Sequence, residues 1–222
     1  DRIGALQARV DLARLDQPKD VGKPKLPAAL LDAVREHTGR VDREISDGYE
    51  RQAVITAAAH VLGEAGLWKE SDDLLKGNLG KSHSPYYLMS QLAGNARKRG
   101  EAAQALRWYE EAFRTSEGPA TRLQWGASYL AALVDLAPKD AKRIERTASQ
   151  MLEEAAAQPN PFHQRSGRSL QRLGEKLASW NRGSAHADVI RRLQSQLKPV
   201  CAKLDATDSQ RGACDGLLKP GA

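Results

Sequence analysis

The chain has 222 residues, of which 41% are hydrophobic, with a formal net charge of +6 and a negative mean hydropathy. No window reaches the uninterrupted apolar run of about 18 residues that a membrane-spanning helix needs, and the length suits one or two domains or a single elongated array. The charge is uneven, because residues 160–204 hold nine Lys or Arg against only Glu175 and Asp188.

Alternating β-branched runs and Asn-Gly hairpin turns do not occur, whereas Ala, Leu, Arg, Glu and Gln fill long segments of helical period. The fold class is therefore all-α. The chain opens at Asp1 with no initiator Met and no basic-then-apolar leader, so we expect a mature fragment or an excised part of a larger protein. A first helix near 2–15 precedes the polar linker "DQPKDVGKPK", and residues 1–25 are expected to pack as an arm or to form the junction to an upstream domain.

From there one helical array is expected over 26–204, with helices at 28–38, 41–65, 67–79, 85–99, 101–115, 119–136, 138–157, 162–181 and 184–203. Ser84-Pro85, Gly118-Pro119, Ala137-Pro138 and Asn160-Pro161 each set Pro at an expected first helical position. Cys201 and Cys214 bracket the start of the tail 205–222. Their spacing excludes a C-x-x-C redox pair, and there is no second pair to complete a zinc site. A disulfide between them would tie the tail back to the array and imply an oxidising compartment; two unrelated free thiols are the alternative.

Gly66 in "GEAGLWKESDDLL" and Gly100 in "RKRGEAAQALRWYEEAF" each end one helix and open another, 34 residues apart. That is the tetratricopeptide period. "LMSQLAGNARKRGEAAQALRWYEEAF" resembles this repeat, with Leu92 and Ala93 at the Leu-Gly positions, Ala96 at the following aromatic position, then Gly100, Ala105, Tyr109 and Ala112. The preceding unit keeps Ala58, Ala59, Leu62 and Gly66 in register but has Ser71, Leu75 and Asn78 on its second helix. Gly126 and Tyr129 keep the right mutual spacing, and Leu173-Gly174, Leu177, Ile190 and Leu193 recover the pattern later. The resemblance implies an α-α superhelix of tetratricopeptide-like hairpins, in which small residues let two helices touch and an aromatic fills the space between hairpins.

The combination "GEAGLWKES…SPYYLMSQLA…GPATRLQWG" also resembles the C-terminal helical part of some bacterial thioredoxin-family proteins. That resemblance implies a periplasmic or envelope setting, against a cytoplasmic alternative, and a thioredoxin-fold domain upstream. No thioredoxin active-site motif lies in this chain, so no residue here inherits oxidoreductase activity.

"GNLGKS", residues 77–82, ends like a phosphate-binding loop, but Leu75 stands where the first glycine belongs and a helix precedes it. The plain reading is a helix stop with Gly80 and a turn to a Ser84 cap. His37, His60, His83, His163 and His186 show no metal-ligand spacing, and no nucleophile elbow, carboxylate pair or nucleotide fingerprint is found. Neither a cofactor nor a metal nor catalysis on this chain alone is expected. Trp68, Trp108 and Trp125 read as core and hairpin-interface residues.

In the register that the resemblance implies, Tyr87, Ser90, Gly94 and Arg97 face the concave surface, joined by Thr56 and His60 from the preceding repeat. A clamp for a terminal carboxylate needs Lys and Asn at groove positions where Ser90 and Gly94 stand, so a chaperone-tail binder is disfavoured. Arg165, Arg168, Arg172 and Lys176 align on one helix face opposite Leu170, Leu173, Leu177 and Trp180. An ordinary solvated face and an electrostatic dock for an acidic partner both fit that stripe. Stacking aromatics are not interleaved with these cations, which argues against nucleic acid. Three functional expectations follow: a module that binds or scaffolds a protein partner, the client-binding accessory of a thiol-disulfide oxidoreductase, or a set of helices completing another enzyme's site.

Overall fold

The computed structural model describes residues 2–18 and 24–219. Among them the chain forms eleven α-helices and one 3-10 turn, with no strand. The helices are α1 (Arg2–Ala13), α2 (Ala28–Glu44), α3 (Gly48–Glu64), α4 (Trp68–Lys76), α5 (Tyr86–Lys98), α6 (Ala102–Thr115), α7 (Pro119–Leu136), α8 (Ala141–Ala156), α9 (Gln164–Trp180), α10 (Ala187–Ala202) and α11 (Ser209–Gly216). The all-α class is as expected. Contacts divide the chain into two compact units, Asp1–Ala112 and Phe113–Ala222, with the boundary in the last turn of α6.

In the first unit, Gly66 and Gly100 do the same local work. Each has a positive φ, 77° and 79°, which only glycine adopts without strain. Each closes a doubly hydrogen-bonded helix stop: Gly66 N donates to Gly63 O and Leu67 N to Leu62 O, both at 2.9 Å, while Gly100 N donates to Arg97 O at 3.0 Å and Glu101 N to Ala96 O at 2.9 Å. The 34-residue spacing is thus a repeated backbone motif. Around it Ala58, Ala59, Ala93, Ala96, Ala105 and Ala112 are fully buried, as close helix approach requires. Val41, Ile55, Ala59, Leu75, Leu88 and Leu92 form one core cluster, with Trp108 against it.

α1 packs on α2 and α3 through Leu6 and Val10, which join Leu30, Val34, Val61, Leu62 and Ala65 in a second cluster. This first helix packs into the first unit's core. Of the linker 16–25, residues 19–23 lie outside the described residues.

Several boundaries differ from expectation, each for a local reason. α2 runs through Gly39 to Glu44, and the break falls at residues 45–47, where the Asp47 carboxylate caps α3 by accepting from Tyr49 N at 3.0 Å and Glu50 N at 2.9 Å. Pro119 is the first residue of α7 and Pro85 the cap of α5, but Pro138 and Pro161 lie in turns. α8 waits for Asp140, whose carboxylate accepts from Arg143 N at 3.1 Å. α4 stops at Lys76, before Gly80.

In the second unit α7 packs on α8 and along α9, and α8 packs on α10. Gly126 is the contact point of α7: a Cβ there would meet the Met151 side chain at 2.9 Å and Phe113 at 3.1 Å. Arg122 of α7 makes a two-pronged ion pair with Glu154 of α8 at 2.9 and 2.6 Å, and it also donates to the Phe113 and Ser116 carbonyls at 3.2 and 3.1 Å. At the far end Trp180 Nε1 donates to Pro138 O at 2.8 Å, and His186 stacks on the indole at 3.6 Å.

A helix unforeseen in the tail, α11, follows the Asp208 cap. Cys201 of α10 and Cys214 of α11 stand paired with Cα atoms 5.6 Å apart, a separation that a disulfide spans. Leu217 lies so close to α9 that a Cβ on Gly174 would sit 2.3 Å from its carbonyl oxygen.

Candidate functional site

The stripe foreseen on α3 and α5 lies outside the buried face of both helices. α5 turns Leu88, Met89, Leu92, Ala93, Asn95 and Ala96 inward, leaving Tyr87, Ser90 and Gly94 half-buried and Arg97 exposed. A Cβ on Gly94 would meet nothing within 4 Å, so open space lies before that residue. On α3, His60 is exposed, while the Thr56 hydroxyl donates to Gln52 O at 2.6 Å within its own helix. These six positions flank the α3–α5 contact, and the Thr56 hydroxyl donor is already engaged.

The edge of this stripe carries charge. Glu64, at the end of α3, pairs with Arg14 just past α1 and with Lys98 of α5. Burial opposes its ionisation, but the Lys98 hydrogen bond and the Lys98 and Arg14 charges outweigh burial and hold its carboxyl below the usual glutamate value. A lowered folded-state pKa means that the folded chain takes up the proton less readily than the unfolded one. The stability that this triad contributes is present above pH 4.3 or so and is lost as pH falls toward the folded value. Glu64→Gln should flatten the acid limb of the first unit's stability profile, read as urea midpoint against pH; an unchanged limb would refute the assignment.

The basic stripe of α9 resolves into two pairs. Arg165 Nε donates to Gln124 Oε1 at 2.8 Å and Lys176 Nζ pairs with Asp135 Oδ1 at 2.8 Å, so both cations hold α9 against α7. Arg168 and Arg172 are exposed and form no ion pair among the described residues; Arg172 reaches only the Ser169 hydroxyl, at 3.4 Å. The opposite face behaves as expected, with Leu170, Leu173 and Leu177 fully buried and Trp180 nearly so.

Two concavities flank this ridge. Between α9 and α11 runs a channel of about 580 Å³ bordered by Arg168, Leu170, Gln171 and Ala178 on one side and by Ala213 and Leu217 on the other. Between α7 and α9 lies a smaller one of about 310 Å³, bordered by Ala127, Ser128, Ala131, Arg172 and Ser179. Glu175 belongs to both. The sequence shows the cations but not the channel, because α11 lies within 205–222, which reads as tail; the Asp208-Ser209 start is its one visible signal.

The remaining candidates are dispersed. His83 stacks on Tyr49 at 3.9 Å, and His163 stands at the N-cap position of α9 without a side-chain capping bond. His37 lies beside Arg40 in a groove with Arg2 and Arg9, where burial and then the Arg40 and Arg2 charges lower its pKa. Among the described residues no three His, Cys, Asp or Glu side chains gather as a metal would need. "GNLGKS" is a turn after α4, and Asn78 within it is buried and bonded to Arg51 and Asp42.

No model of a protein family matches the chain, and no curated protein matches it. A solved structure from Podosopora anserina, described as a putative kinesin light chain with nearly identical TPR-like repeats, is similar over 91% of this chain and 97% of its own. The TM-score is 0.51 at 16% identity. At that identity the likeness concerns the fold: this chain is an all-α array of tetratricopeptide-like helical hairpins.

Proposed function

We propose that this chain is a protein-interaction module, non-enzymatic by itself, that captures a partner on the exposed faces of its paired helices. A tetratricopeptide-like fold is a scaffold whose hairpins bury their apolar stripes on one another and leave other helix faces free for recognition. The observation that carries the proposal is the α9 ridge, where Arg168 and Arg172, each bordering one of two concavities, form no ion pair among the described residues. Unpaired arginines beside apolar recesses are the composition of binding surfaces. Tyr87, Ser90, Gly94 and Arg97, with Thr56 and His60, are proposed as a second contact stripe on the first unit.

Affinity capture from a native extract tests this with three forms of the chain. Charge reversal at Arg168→Glu and Arg172→Glu is expected to reduce recovery of specific partners by about tenfold, and Tyr87→Ala with Arg97→Glu by a smaller factor, with helicity unchanged. Identical recovery by all three forms would show that neither face recognises a protein.

We further propose that Cys201 and Cys214 are joined in the mature protein, which places it in an oxidising compartment such as the periplasm or envelope. Unreduced protein isolated under acid trapping should lack two hydrogens in its mass, and two alkylatable thiols would overturn the assignment. The thioredoxin-family resemblance gains no support from the fold likeness.

A further inference from the structure

We infer that the channel between α9 and α11 receives an acidic amphipathic helix of a partner protein; this rests on the interaction-module reading above. The channel exists because α11, with eight residues, is less than half as long as α9, with 17. By the helical rise, α11 spans about 12 Å and α9 about 25 Å, so much of α9's flank is left without a neighbour.

The occupant's conformation follows from the lining. The bordering backbone belongs mostly to two helices whose amide and carbonyl groups bond within their own turns, leaving side-chain surface as the main contact: Ala178, Ala213 and Leu217. An extended segment entering there would lose water from its backbone with few partners to replace it. A helix keeps its own backbone satisfied and offers only a face. Small residues at 178, 213 and 216 let that face come close, as Gly174 already lets Leu217 do on the same helix.

Its charge follows from the rim. Arg168 borders the channel and Lys219 stands at its far lip, while Arg172, one helical turn along the ridge, borders the neighbouring concavity; neither arginine has a carboxylate partner among the described residues. Glu175 is the single carboxylate of the channel wall. A carboxylate on the incoming helix meets the Arg168 guanidinium in charge-assisted hydrogen bonds and a second, one turn on, reaches across the ridge to Arg172, whereas a basic helix would meet both cations in repulsion. Arg165 and Lys176, tied to α7, hold the ridge in place and take no part in the capture.

The probe is a synthetic peptide of about 18 residues, long enough to be helical in isolation. It carries Leu and Ala on one face and Glu along the flanks. A second peptide has Lys for every Glu, and a third has the first one's residues with a central Pro. Binding to the whole chain is followed by anisotropy and by amide shifts. The acidic helix is expected to bind, moving the amides of Gly167, Gly174, Ala213 and Gly216, with the Lys and Pro peptides at least about tenfold weaker. Ala213→Trp, which fills the channel from an exposed position, and the double reversal Arg168→Glu with Arg172→Glu should each weaken it about tenfold. Equal binding of the Lys peptide removes the charge rule, and equal binding of the Pro peptide removes the helix. No shift at about 1 mM peptide, or indifference to Ala213→Trp, removes the site. If the peptides fail while captured partners still depend on Arg168 and Arg172, this inference falls and the interaction module stands; if the reverse holds, the channel stands and the proposed breadth of the module falls.

Discussion

Replacing Arg51 by Met is expected to lower the stability of the first unit by about 3 kcal/mol, the range for removing one partner from a buried charged network. Arg51 sits on the first turn of α3 and is only 5% exposed. Its Nε donates to Asn78 Oδ1 at 2.8 Å and its Nη1 to the Asp42 carbonyl at 3.0 Å, and the guanidinium also reaches the Asp42 carboxylate and the Ile45 carbonyl. Asn78 closes the circuit by donating to Asp42 Oδ1 at 2.9 Å and Leu74 O at 2.8 Å. One side chain thus satisfies the end of α2, the α2–α3 break and the turn after α4. Methionine keeps the length and removes every donor, leaving two carbonyls and the Asn78 oxygen in low dielectric without a partner. Asp42→Asn should cost nearer to 1 kcal/mol, because the Asp42 side chain is 34% exposed and water can replace part of what is lost. Urea unfolding of the whole chain, with hydrogen exchange to locate the loss in α3 and α4, checks both. A cost for Arg51→Met below that of Asp42→Asn would mean that the network contributes little.

That network also marks what could be read in the chain beforehand. Gly66 and Gly100 were legible because a positive φ has one common solution in the amino-acid alphabet, so two helix stops at a fixed spacing leave a fixed trace. The buried alanines were legible for the same kind of reason, since close helix approach limits residue size. Arg51 left no such trace: its partners lie 9 and 27 residues away, and nothing local distinguishes it from a solvated arginine. The break expected between 38 and 41 falls instead at 45–47, because the cost of Gly39 inside a helix is small beside that of leaving Asp47 out of its capping position. Pro138 and Pro161 fit the first turn of a helix in general, yet α8 starts after the Asp140 cap and α9 after His163, each two residues beyond its proline. For the candidate surface, periodicity put Arg165, Arg168, Arg172 and Lys176 on one face, but only the position of α7 shows that the outer two are engaged and the inner two are not.

Opening the Cys201–Cys214 pair should have the second large effect, about 3 kcal/mol for a closed loop of this size. α11 is short for an independent helix and carries Gly212 and Gly216, so its own propensity is poor. Its hold on the second unit includes the Cys pair, Gln210, which accepts from Phe162 N at 3.1 Å and donates to Asn160 Oδ1 at 3.1 Å, the Gln194 side chain donating to Leu218 O at 2.8 Å, and the seat of Leu217 on Gly174. Cys201→Ser with Cys214→Ser removes the first and leaves contacts that are separately weak. The expected result is early exchange of the α11 amides, with α7, α8 and α9 still protected, followed by a lower midpoint for the second unit. Gly174→Val acts on the same seat from the other side, since its Cβ must displace the Leu217 carbonyl, and in the oxidised protein it should shift α11 without releasing it. Because α11 forms one wall of the channel, the serine pair should also weaken capture of the acidic helix, and Gly174→Val should do so less. If α11 stays as protected without the cysteines as with them, its packing alone suffices and the pair contributes little to the second unit.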